Sequence, residues 1–365
     1  MSSVDEAHGQ SLPKLSALQT LSICSLADDE SRDGTATSLF AAIKHKTLKE
    51  LTLSEILLTS PVAEALGQSL PELSALQTLS VSGLINCSDQ AVTSLVAAVK
   101  HKTLERLKLR RMNLTSAAAK ALSQSLPELS GLRSLKIGNL DKCSDDSVTQ
   151  LFAAIANKTL EKVKLRKMNL TSAAAEALGR SLPELRALKE VRVSGSDGCS
   201  LQHEEMEAMF GKFKRPFPLL IRLKICNFSA RGTLAQLTRN LRFFPSLRHL
   251  DLEALDMGEA DLCSLLDNLK FIPNLWTLSL MGNPLGQAVR LMVPYLLNQQ
   301  HLGSLKFRQG DFSEEHLNYV LEAIKAAKTE HEIEVNMSPF SWPRNCSGTE
   351  GRGMIRLWLS YKTKN

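Results

Sequence analysis

Aromatic side chains are scarce in this chain. Phe, Tyr and Trp make up 5% of its 365 residues, whereas hydrophobic residues as a whole make up 43%. A core of that composition must be aliphatic, and leucine carries it. Long apolar runs are missing as well. No stretch of 18 uncharged apolar residues exists, so the reading includes no membrane. Met1 to Leu15 is polar and holds Asp5, Glu6 and His8, which is unlike a secretory signal. The seven cysteines include no Cys-x-x-Cys pair, which leaves zinc ribbons and dithiol redox motifs unwritten. Cys87, Cys143 and Cys199 recur at a fixed interval of 56 residues. They read as reduced thiols at copied positions in a cytoplasmic protein.

Signatures of chemistry are equally thin. There is no Gly-x-Ser-x-Gly elbow and no His-Glu-x-x-His helix, and His203-Glu204-Glu205 lacks a second histidine at zinc spacing. His45 and His101 sit ahead of apolar strand patterns and read as surface residues. Acidic clusters, Asp28-Asp29-Glu30 and Asp145-Asp146, stand where helices would begin and read as helix N-terminal charge rather than metal ligands. The expectation is therefore no enzyme, no catalytic residue, no metal and no cofactor.

What the sequence does have is repetition. Ser-Leu-Pro followed by Lys or Glu and Leu begins at Ser11, Ser69, Ser125 and Ser181, and Lys-Thr-Leu recurs at Lys46, Lys102 and Lys158. A shorter pattern, Leu-x-x-Leu-x-Leu with conservative variants, starts at Leu18, Leu48, Leu76, Leu104, Leu132, Leu160, Leu188, Leu220, Leu247, Leu275 and Leu302. Each is a short strand, most are 28 residues apart, and a twelfth strand is expected at Ile333 to Val335. Between strands, helical stretches such as Thr115 to Leu126 place Ala118, Leu122 and Leu126 on one face. Thr115 reads as a cap and Pro61 as a first-turn proline. No single unit can bury its apolar face alone, so the units must stack.

These units, alternating in two types, resemble the ribonuclease-inhibitor class of leucine-rich repeats, which also forms the C-terminal half of NOD-like receptors. The divergent repeats at Asn240-Leu-Arg-Phe-Phe-Pro-Ser-Leu-Arg-His-Leu-Asp-Leu and Asn268-Leu-Lys-Phe-Ile-Pro-Asn-Leu-Trp-Thr-Leu-Ser-Leu carry that likeness furthest. The resemblance implies an α/β leucine-rich-repeat horseshoe solenoid of about 11–12 repeats, with parallel strands on the concave face and helices on the convex face. The expected organisation is a solenoid over 1–337, with regular repeats at 1–194 and divergent repeats at 219–337. A capping loop and strand follow at 338–365, the strand at Met354 to Tyr361 covering an open sheet edge.

Two departures from the family pattern stand out. The asparagine usual three residues past the last strand leucine is present only as Asn283, and Leu84, Met112, Leu140, Met168, Phe228 and Leu255 replace it elsewhere. Loop polar groups must then be paired by other means. The sequence also has no Gly-x-x-x-x-Gly-Lys-Ser/Thr loop and opens at Val4 inside a copied repeat helix. It reads as a recognition array separated from a larger receptor, or as a stand-alone relative of one. Residues 195–218, with Gly211-Lys-Phe-Lys-Arg-Pro-Phe-Pro, read as a longer surface loop.

Alternation along the strands exposes one distinctive signal. With the second and third leucines of each pattern directed to the core, the intervening positions face the concavity. Strands one to three offer Thr, Ser and other residues there. Strands four to eight offer Arg106, Lys108, Arg110, Lys136, Lys162, Lys164, Arg166, Arg192, Arg222 and Lys224, and strand nine turns acidic at Asp251 and Glu253. These ten are the candidate partner-binding residues. The expected function is recognition of a protein partner with an acidic surface, or of an absent domain of a larger receptor, as the sensing and regulatory part of an innate-immune protein. Two alternatives stand beside it. Nucleic acid could bind the basic patch through phosphates, although almost no aromatics line the face for stacking. A role as GTPase activator or ubiquitin-ligase adaptor is the other.

Overall fold

The structure, a computed structural model, describes residues 18–24, 47–54, 59–83, 87–112, 114–156, 159–211, 213–292, 301–308, 315–316, 318–319, 333–338 and 355–359. The expected opening helix near Val4, the Asp28 cluster, His45 and most of the loop over 338–353 lie outside them. The chain forms two compact units, Met1–Leu188 and Lys189–Asn365.

In the first unit each Leu-x-x-Leu-x-Leu signal becomes a strand that begins two residues after its first leucine. The strands are β1 (Thr20–Cys24), β2 (Glu50–Ser54), β3 (Thr78–Ser82), β4 (Arg106–Arg110), β5 (Ser134–Gly138) and β6 (Lys162–Met168). Successive strands pair in parallel with no slip of register, so Leu51, Leu79, Leu107, Leu135 and Val163 form one rung. Leu53, Val81, Leu109, Ile137 and Leu165 form the next, and all ten side chains are buried. A one-residue slip would turn every leucine to solvent, which is why the register holds.

Among the described residues five helices cover the core side: α1 (Ser60–Ser69), α2 (Asp89–Ala97), α3 (Ser116–Ser125), α4 (Asp145–Ala154) and α5 (Ser172–Ser181). Leu66, Leu95, Leu122, Leu151 and Leu178 point from them into the core and are buried. Burying a leucine completely contributes roughly 1.5–3 kcal/mol, so this aliphatic stack dominates the fold. Thr115 and Thr171 cap α3 and α5, their hydroxyls accepting from the amides of Ala118 and Ala174 at 3.5 and 3.4 Å.

The copied words each have a bonding role. In Lys-Thr-Leu, the Thr103 hydroxyl donates to the Leu76 carbonyl at 2.8 Å, and the Thr159 hydroxyl to the Leu132 carbonyl at 2.8 Å. Each threonine thus ties its repeat to the preceding one. In Ser-Leu-Pro, Ser69, Ser125 and Ser181 donate to the carbonyls of Ala65, Ala121 and Ala177, closing the helix before the proline opens a 3-10 turn. Ser60 and Ser116 accept from the amides of Ser88 and Ser144, both at 2.7 Å, and link neighbouring helix starts.

The second unit continues the plan with β7 (Glu190–Gly195), β8 (Arg222–Cys226), β9 (His249–Glu253), β10 (Thr277–Ser279), β11 (Ser304–Arg308) and β12 (Ile333–Ser338), all parallel. The final strand, β13 (Ile355–Leu359), pairs antiparallel with β12. Its helices include α6 (His203–Phe210), α7 (Ala235–Arg239) and α8 (Glu259–Asn268).

Residues 195–218 differ from the expected surface loop. They contain α6, and Phe213 and Phe217 are buried rather than offered to a partner. Phe213 meets Phe210, Phe217, Phe243 and Phe244 at ring distances of 5.0 to 6.3 Å. The segment is a repeat that fills its core with edge-to-face aromatics in place of leucine. Lys214 and Arg215 remain exposed.

Asn283 behaves as its family position demands. Fully buried, it accepts from the amides of Leu255 and Met257 at 3.0 and 3.2 Å, and donates to the carbonyls of Leu252 and Leu280, both at 2.8 Å. Where Leu140 stands instead, the loop backbones pair directly: Asn139 N donates to Arg166 O at 3.0 Å and Leu140 N to Lys167 O at 3.1 Å.

Candidate protein-interaction surface

The open face of each strand pairing follows from alternation. In β4, Arg106 and Arg110 are exposed, Lys108 is half-buried, and the leucines between them are buried. β6 repeats this with Lys162, Lys164 and Arg166. Because the register has no slip, Lys108, Lys136 and Lys164 stand on a single rung across β4, β5 and β6. Arg106, Ser134 and Lys162 form the rung before it. Beyond it, Gly138 pairs with Arg166 and offers no side chain. Adjacent strands lie about 4.8 Å apart, so seven of these nine positions place cations on one contiguous face, and none carries a carboxylate. Partial burial, and then the Arg166 charge, draw the Arg110 guanidinium below its ordinary pKa. It stays cationic at neutral pH. Thr78, Ser80 and Ser82 of the neighbouring β3 are uncharged.

The remaining three candidates, Arg192, Arg222 and Lys224, lie in the second unit, where acids are interleaved. Arg192 Nε meets Glu190 Oε1 at 2.6 Å, and Lys224 Nζ is ion-paired with Glu253. Glu253 also accepts from the Ser279 hydroxyl at 2.7 Å. Arg192, Lys224 and Asp251 share a rung. Burial pushes the Asp251 carboxyl above the usual range while Lys224 draws it back down. The two units thus present different surfaces: an uninterrupted cationic ladder on β4 to β6, and a mixed-charge mosaic on β7 to β9.

Two features escaped the sequence reading. His101 is buried, not exposed. It hydrogen-bonds the Leu70 backbone, and burial lowers its pKa. The second is an open pocket of about 480 Å³ in the second unit, lined by Arg248, His249, Asn274, Trp276 and His301. A tryptophan placed just ahead of a strand start, where the repeats of the first unit carry Lys, Gln, Glu or Arg, is the signal that marks it.

Among the described residues no group of three or more His, Cys, Asp or Glu could hold a metal ion, and no helix is long and apolar enough to cross a membrane. Cys87, Cys143, Cys199, Cys226 and Cys263 form no disulfide with one another.

No family model matches the chain. Among curated proteins it is similar to Protein NLRC5 of Ictalurus punctatus, with 26% identity over 185 residues. That match covers 49% of this chain and 10% of the relative, so the chain spans about a tenth of that protein's length. Among solved structures, a chain from the crystal structure of the Rad7 and Elc1 complex in yeast overlaps it at a TM-score of 0.45 and 16% identity, over 87% of this chain and 85% of that one. The chain is an α/β solenoid of leucine-rich repeats that is similar, over about half of its length, to Protein NLRC5.

Proposed function

We propose that the chain is a non-enzymatic recognition module that binds a protein partner with an acidic surface, and that it serves as the sensing or regulatory part of an innate-immune protein of NOD-like-receptor type. The reading rests on one observation: the ladder Lys108–Lys136–Lys164, flanked by Arg106, Lys162, Arg110 and Arg166, with no carboxylate on those nine positions. Like charges so close repel one another, and an acidic partner relieves that repulsion on docking. Arg192, Arg222 and Lys224 are proposed as partner contacts of the second unit in their own right, with Arg192 and Lys224 already paired to Glu190 and Glu253. The partner is a separate acidic protein or an acidic domain of the same receptor. The likeness to NLRC5 supports a cytoplasmic setting.

Affinity purification tests this, comparing the wild-type chain with a Lys108→Glu, Lys164→Glu and Arg166→Glu variant. The expected result is loss of acidic proteins from the variant's partner set. An unchanged set refutes the ladder as the recognition surface. Retention on nucleic acid with a steep inverse salt dependence, in place of protein capture, would favour phosphate binding instead.

A further inference from the structure

The pocket of the second unit lies well apart in sequence from the cationic ladder and has a different chemistry. Ile221, Arg248, Trp276 and Gly303 occupy equivalent positions, each one residue ahead of a strand. They are bonded in series: Arg248 N donates to Ile221 O at 2.9 Å, Trp276 N to Arg248 O at 2.8 Å, and Gly303 N to Trp276 O at 2.9 Å. The row therefore reads apolar, cationic, aromatic, bare. Trp276 is 55% exposed, an unusual state for so large a ring, and Ile221 and Leu219 beside this row are exposed as well. The bareness of Gly303 is required by the indole: a Cβ there would lie 2.5 Å from the Trp276 ring.

Part of the lining is polar: Asn274, His249 and His301 stand beside Arg248, and His249 Nδ1 is 3.1 Å from the Thr277 hydroxyl behind it. The field is positive: Arg222, Lys306 and Arg248 act on His249 against Glu190 alone.

We propose that this pocket docks an acidic peptide segment of a protein partner, with a carboxylate held by Arg248 and a neighbouring apolar side chain laid on Trp276. Charge complementarity selects the acid, and the exposed indole selects the apolar neighbour. Aromatic and arginine side chains in a pocket are the usual anchors of peptide recognition. The site stands independently of the β4 to β6 ladder, and each can fail without the other.

The test is 19F NMR of the full chain labelled with 5-fluorotryptophan, with the Trp276 resonance assigned by its disappearance in Trp276→Phe. The probe is the blocked peptide Glu-Glu-Phe-Glu-Glu; controls are Lys-Lys-Phe-Lys-Lys and Glu-Glu-Gly-Glu-Glu. The acidic aromatic peptide should shift the Trp276 resonance saturably. Arg248→Glu should weaken it by about tenfold or more, the glycine peptide should bind more weakly, and Lys164→Glu should change nothing. A Trp276 resonance unmoved by the acidic peptide overturns the proposal. So does equal binding of the lysine peptide, or an affinity indifferent to Arg248→Glu. Loss of binding on Lys164→Glu would assign the peptide to the ladder and overturn the pocket.

Discussion

Lys136 occupies the centre of the cationic rung, with Lys108 on one side and Lys164 on the other. Between Lys136 and these two rung neighbours, replacement by glutamate turns two repulsions into two attractions. The backbones are about 4.8 Å apart, and long lysine side chains splay to about 7 Å between charges. At that separation in water, each contact amounts to about 0.6 kcal/mol before screening. A Debye length of about 8 Å at physiological salt reduces it to roughly 0.25 kcal/mol. Four such terms, two repulsions removed and two attractions gained, sum to about 1 kcal/mol of added stability, and to about 2 kcal/mol at low salt. Lys136→Glu should therefore raise the melting temperature by about 2–4 °C at physiological salt, and 0.5 M salt should erase most of the gain. Thermal melts by circular dichroism across a salt series provide the measurement. The same variant should bind the acidic partner less well. A protein that gains stability as it loses binding holds a surface kept against its own repulsion. A lower melting temperature at low salt would refute the reasoning, because it would show that Lys136 is stabilising where it stands.

Other expectations follow from single contacts. Asn283→Ala strands two amides and two carbonyls in a buried loop, so urea unfolding should show a loss of about 3 kcal/mol or more from the second unit. Thr103→Val removes the bond to Leu76 O and should cost about 1 kcal/mol, and Thr159→Val should add to it, because the two sites share no partner. His101 carries a lowered pKa through burial, so between the folded value and the unfolded value near 6.5 the unfolded chain binds more protons. Its contribution to stability is present above pH 6.5 and is lost as the pH falls through that window. His101→Asn should flatten the drop in melting temperature between about pH 7.5 and 5.5.

The fold was legible because its signal is a packing signal. Leucines at fixed spacing name the buried rungs directly, and all twelve strands expected from that spacing appear where it puts them, with the last pairing added by β13. The exposed set was legible by the same alternation. Pairing between repeats was not. Lys224 and Glu253 are 29 residues apart and meet only because β8 and β9 align, so composition alone counted Lys224 as one more cation. Burial in loops was hidden for a similar reason. His101 looks like a surface residue beside Lys100 and Lys102, and only the Leu70 backbone packed over it shows otherwise. The aromatic cluster around Phe213 broke the leucine spacing that the reading relied on, so a true repeat looked like a loop. Trp276 stands one residue ahead of its strand, outside the alternating positions, so alternation does not mark its pocket.

The ladder on β4 and β6 is one text written twice. Lys108 and Lys164, Arg110 and Arg166, and Arg106 and Lys162 each stand 56 residues apart, within blocks that also share their helices. Duplication of such a block does not merely lengthen the protein. It multiplies the valency of its surface, laying each new charge one strand-pair further along the same rung. Specificity in such an array can be inherited in whole steps, by gain or loss of a block, before any single residue is refined.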